Sequence, residues 1–160
     1  MTKYLFLDFD GVLNTTQHQA QCNVLGLPDS DKYGPIFDPK TVSNLQCLLD
    51  ETGAEVVIIS SWRYILSDKR LKEMWVERGL PETPILILDQ NREMPDLNKG
   101  EQIADFMSGE SNPYVILDDE PEEFLDSQLS HLIHINPVTG FKRQNVDQAI
   151  RSLNKYLTVE

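Results

Sequence analysis

Apolar residues come along this chain in short unbroken runs, separated by longer stretches in which they recur every three or four positions. The runs fall at Tyr4, Leu5, Phe6 and Leu7, at residues 55–59 after a leading Glu55, at 84–88, at 114–117 and, with His131 and His134 interposed, at 131–135. An apolar run without polar alternation suits a strand buried on both faces. Between the runs, Val42, Leu45, Leu48 and Leu49 keep helical spacing, opened by Asp38-Pro39 and closed by Gly53. Ser67-Asp68 leads a second helix with Leu71, Met74, Trp75 and Arg78 before Gly79. A third covers about 99–107 with Ile103, Phe106 and Met107 inward, and Val146, Ala149, Ile150, Leu153, Tyr156 and Leu157 mark the last. Strands alternating with helices predict a mostly parallel five-stranded sheet with right-handed crossovers, an α/β chain folded as a three-layer α/β/α sandwich.

Composition narrows the class. At 160 residues with 40% hydrophobic and 25% charged positions, one globular domain spanning 1–160 is expected. No apolar stretch approaches the roughly 18 residues of a membrane span, and the N-terminal run lacks a basic lead-in. A soluble, cytoplasmic protein without membrane partners follows as the expectation. Cys22 and Cys47 stand alone, giving neither a disulfide framework nor zinc-ligand spacing. The formal net charge of -12 repels polyanions, so strong non-specific nucleic-acid binding is not expected.

The chemistry sits where the strands stop. Asp8 and Asp10 end the first run and precede Gly11, Ser60 and Ser61 end the second, and Asp118 and Asp119 end the fourth. In open α/β sheets ligands bind beyond the carboxyl ends of the strands, so three strand ends point at one place. Each residue also has a plainer reading: an Asp-x-Asp-Gly turn, a serine cap, acids at a helix start, or Arg63 as an ion-pair partner. Lys99 has Arg92 and Lys142 as rival cations, and Trp62 reads as packing.

Taken in order, Asp8-Phe9-Asp10-Gly11-Val12-Leu13, the serines at 60 and 61, Lys99 before a helix, and Asp118-Asp119 resemble the four motifs of the haloacid dehalogenase (HAD) superfamily. Ser60-Ser61-Trp62-Arg63, Leu117-Asp118-Asp119-Glu120 and Asn136-Pro137-Val138-Thr139-Gly140 further resemble a compact group of HAD domains in bacterial and phage proteins, some fused to RNA-repair modules.

The resemblance implies a Rossmann-like HAD fold and a Mg²⁺-dependent phosphomonoesterase. Asp8 is then the nucleophile that forms an aspartyl-phosphate, and Asp10 the general acid and base. Mg²⁺ falls to Asp8, the backbone carbonyl of Asp10, and Asp118 or Asp119. Lys99 spreads positive charge over the nucleophile, and Gly11 and the serines belong to the phosphate-binding set. The end of the strand favours Ser60 as the second-motif residue. Ser-x-Arg spacing favours Ser61, with Arg63 on substrate phosphate. Residues 14–37 form a polar, cap-like loop insertion, and a second small insertion falls near 89–98. So little cap implies an open site, suited to a large substrate such as a nucleic-acid end or a protein, or to a partner that acts as the lid, whereas the strong acidity points to small phosphate esters or nucleotides. A phosphotransferase with the same residues, and a phosphate- or partner-binding module without turnover, are the alternatives.

Overall fold

The computed structural model describes residues 1–88 and 98–155. Five parallel strands form the central sheet: β1 (Tyr4–Leu7), β4 (Glu55–Ile58), β5 (Ile85–Ile87), β6 (Tyr114–Asp118) and β7 (Leu132–His134), in the order β5-β4-β1-β6-β7. β1 is central because its side chains are apolar toward both layers. Leu5 and Leu7 join a cluster with Leu45, Leu48, Met74, Val146 and Leu153, while Tyr4 and Phe6 pack with Ile103, Ile116 and Phe124 on the other face. That two-sided burial is why the strand reads as an unbroken run.

The helices carry the signals expected of them. α2 (Pro39–Thr52) starts at Asp38, whose side chain caps Lys40 N, and stops at Gly53 in the left-handed region. α3 (Asp68–Glu77) is capped by Ser67, α4 (Lys99–Phe106) by Asn98, and α5 (Arg143–Asn154) closes the layer beside α2. Arg78, read as the helix residue before Gly79, is the C-cap of α3. Tyr156, Leu157, Arg92 and most of the second insertion lie outside the described residues.

Residues 14–37 are more than the polar loop expected. They hold helix α1 (Thr16–Leu25) and a two-stranded antiparallel ribbon, β2 (Ser30–Asp31) with β3 (Gly34–Pro35). The helix escapes a periodicity reading because it buries only Cys22 and leaves Val24 and Leu25 exposed, so it has no apolar stripe. Its caps, Thr15 at the start and Gly26 at the end, are the signal that was there to read. Arg78 fastens the ribbon, donating to Asp31 at 2.6 and 3.0 Å and to the carbonyls of Pro35 and Gly34 at 3.0 and 3.1 Å. No helix among the described residues is long and apolar enough to cross a membrane.

Candidate active site

Register alone brings three chemical strand ends together. Leu7 pairs with Ile58 on one side and Leu117 on the other. The ladder then runs one step further, Asp8 N donating to Leu117 O at 3.1 Å and Ile59 N to Leu7 O at 3.0 Å. Asp8 and Asp118 therefore leave adjacent strands side by side, with Ser60 just beyond the neighbouring strand. Asp8 and Asp118 are 5% and 0% exposed, and Asp119 is half-buried.

Lys99 reaches this corner from the first position of α4, placing Nζ 2.7 Å from Asp118 Oδ2 and 3.6 Å from Asp8 Oδ1. Asn98 caps the helix by accepting from Glu101 N at 2.8 Å. The approach depends on Gly100. A Cβ there would lie 2.7 Å from Gln128 Oε1, 2.8 Å from Leu125 N and 2.9 Å from Phe124 Cα, in the segment that follows Asp118 and Asp119. Gln128 Nε2 donates to the Gly100 carbonyl at 2.8 Å, seating the start of α4 against that segment.

One ammonium does not balance the carboxylates. Burial, then the neighbouring Asp118, push Asp8 up to about 7 against the opposing pull of Lys99 and the Phe9 N–H. Asp119 is raised for the same reasons, burial first and Asp118 second. Lys99 is raised although burial opposes it, because Asp8 and Asp118 favour its charged form. Asp8, Asp118 and Asp119 can each offer an oxygen such that the three lie within 4.8 Å of one another. Hard oxygen donors in a pocket short of positive charge fit Mg²⁺, so this chain's residues suit the ion that the sequence led us to expect.

A family model described as the HAD domain in Swiss Army Knife RNA repair proteins matches residues 4–146, nearly the whole of this architecture. The chain belongs to that family. The comparison with curated proteins gave no match.

Within this HAD domain the remaining motif residues take unequal places. Asp10 is exposed, unlike Asp8, and its carboxylate is held by two side chains. Asn14 Nδ2 donates to Oδ1 at 2.8 Å, and Trp62 Nε1 donates to Oδ1 and Oδ2 at 3.1 and 3.2 Å. Gly11 N already donates to Asn14 Oδ1 and O, at 2.9 and 3.0 Å, which leaves it no proton to offer a phosphate. Its contribution is clearance. At φ 78° it lies where a Cβ would come within 2.6 Å of Asp119 Oδ2 and 2.9 Å of Pro137 Cβ.

The serine pair divides by exposure. Ser60 is fully buried and its Oγ accepts from Trp62 N at 3.2 Å, whereas Ser61 is exposed. Arg63, expected at the substrate phosphate, is turned inward and 2% exposed. Its Nε donates to Ser60 O at 2.9 Å, Nη1 to Leu88 O at 2.8 Å, and both terminal nitrogens to Gln102 Oε1 at 3.2 and 3.1 Å. The planar fork thus ties the turn after β4 to the end of β5 and to α4. Sequence reasoning did not find Asn14 or Gln102 as supports. A Ser-x-x-Arg turn at a strand end was the available clue, because a buried guanidinium needs several acceptors.

Proposed function

We propose that this HAD domain is a Mg²⁺-dependent phosphomonoesterase that works through an aspartyl-phosphate on Asp8. The observation that carries the reading is the Asp8–Lys99–Asp118 group at adjacent parallel strand ends, with Asp10 two residues along the same loop. In the first step an Asp8 carboxylate oxygen attacks phosphorus, the ester P–O bond breaks, and the leaving oxygen takes a proton from Asp10. In the second, Asp10 accepts a proton from water, the hydroxide oxygen bonds to phosphorus, and the Asp8–phosphorus bond breaks to release phosphate. Lys99 offsets negative charge at the nucleophile and on the transferring group, and Ser61, the exposed serine, donates to a phosphoryl oxygen. Asp8, Asp118, Asp119 and the Asp10 backbone carbonyl would hold Mg²⁺, which when bound would supply charge neutralisation between the two anions.

For substrate we propose a nucleotide or a polynucleotide end phosphate. The family description supports that choice. The net charge of -12 confines any polynucleotide to contacts near its end rather than along its backbone. The test is hydrolysis of p-nitrophenyl phosphate, mononucleotides, sugar phosphates, and 3′- and 5′-phosphorylated oligonucleotides with and without Mg²⁺, beside Asp8→Asn and Asp10→Asn. Preference for an oligonucleotide end supports the proposal. Wild-type inactivity across the panel with Mg²⁺ present refutes it, and phosphate found on an added alcohol instead of in solution shows a phosphotransferase.

A further inference from the structure

The indole of Trp62 is 5% exposed, packed against Phe9 and Phe37 at ring-centroid distances of 5.2 and 5.6 Å. Packing accounts for the ring. It does not account for the N–H, which is directed out of the cluster at an exposed carboxylate 52 positions away in sequence. A surface aspartate gains little stability from one more donor, since water already solvates it. The larger consequence is geometric: a carboxylate on a loop otherwise samples several rotamers, and proton transfer needs one.

We propose that Trp62, seconded by Asn14, is a positioning residue for Asp10, fixing the carboxylate that exchanges protons with the leaving oxygen and with water. This rests on the reading of Asp8 and Asp10 given above. Oδ1 is engaged by both Asn14 and Trp62, at 2.8 and 3.1 Å, while Oδ2 meets only the indole at 3.2 Å. Oδ2 is therefore the oxygen left to carry the proton. The indole is itself immobilised, because its 3₁₀ turn (Ser61–Tyr64) is capped by Ser60 and anchored by the buried Arg63. Arg78, which fastens the β2–β3 ribbon, lies 5.4 Å from the Trp62 ring. The donor thus comes from the turn after β4, and the group it steers from the loop after β1.

The experiment uses Trp62→Phe and, to preserve shape, 3-benzothienylalanine at position 62, which replaces only the indole N–H by sulfur. Each is measured with Mg²⁺ on phosphate monoesters whose leaving groups run from p-nitrophenol to simple alcohols, in wild-type and Asp10→Asn backgrounds. Capture of beryllofluoride at Asp8 is followed in parallel by fluorine NMR. The expected result is wild-type capture by both variants, with kcat lowered about tenfold on alkyl phosphates, the scale of one hydrogen bond to a charged group. First-turnover release of p-nitrophenol, which needs no proton, should be nearly unchanged, and the loss should vanish in the Asp10→Asn background. Unchanged turnover on every ester, an equal loss of the first-turnover rate on every ester including p-nitrophenyl phosphate, or loss of capture in both variants overturns the proposal while wild-type activity keeps the site reading intact. A wild type that neither captures beryllofluoride nor hydrolyses any ester refutes the site reading, and this inference with it.

Discussion

Asp8 and Asp118 share the ammonium of Lys99, and burial withholds from both the water that would screen them. Asp8 stands at about 7, above the ordinary aspartate value near 3.8. The folded, metal-free protein therefore keeps a proton on Asp8 between those values that the unfolded chain has lost. Its contribution to stability is full below that window and falls as pH rises through it. Asp8→Asn should abolish turnover and yet raise the melting temperature in EDTA, by about 5 °C at pH 8 and by much less at pH 5. Calorimetry across that range checks it, and an equal shift at both pH values counts against the assignment. Lys99→Met removes the charge without removing most of the side chain. It should lower kcat on the order of a hundredfold or more in a steady-state assay. The acids and the lysine were legible because their chemistry is unusual at strand ends. That Asp8 is buried while Asp10 is exposed was not, since both belong to the same four residues of sequence.

Secondary-structure elements decide whether those groups meet. Arg63 bonds to two backbone carbonyls and to Gln102, so its role separates cleanly from the expected one. Arg63→Lys should cost about 2–4 kcal/mol in denaturant unfolding, because an ammonium cannot span acceptors set out for a planar fork. It should leave KM for substrate nearly unchanged in the folded fraction; a large rise in KM with unaltered stability would restore a substrate contact. Gly100→Ala has its own signature. Its Cβ would press on the backbone at Leu125 and Phe124, which cannot rotate away. The start of α4 must shift, and kcat should fall by about tenfold at a cost of about 1–3 kcal/mol, read together by activity and melting. Helices α2 and α3 were visible in their caps and apolar stripes and α4 in its stripe, but α1 was not. A helix that buries one residue leaves no period in the sequence, and its existence is settled by the caps at Thr15 and Gly26.

At the scale of the molecule, two predictions concern the metal and the unit. Mg²⁺ should raise the melting temperature in a concentration-dependent way at pH 7 to 8, as any ligand of the folded state does. The shift should disappear in the paired Asp118→Asn, Asp119→Asn variant, and its persistence there would place the ion elsewhere. We also propose that 1–160 is one cooperative domain. Calorimetric and van't Hoff enthalpies should then agree, and two resolved transitions would argue otherwise. The alternation of the five sheet strands with α2 to α5 and the sheet's parallel character were determined by the sequence, because each depends on local periodicity; the candidate motif residues stood out as rare types in a fixed order, with Ser60 and Ser61 left undivided. Tertiary structure decided the rest. Which serine is exposed, where Arg63 spends its donors, that Gly11 and Gly100 are there for clearance, and that Trp62 meets Asp10 all follow from register and packing between distant segments. No spacing along a single chain encodes which of two neighbouring side chains faces the site.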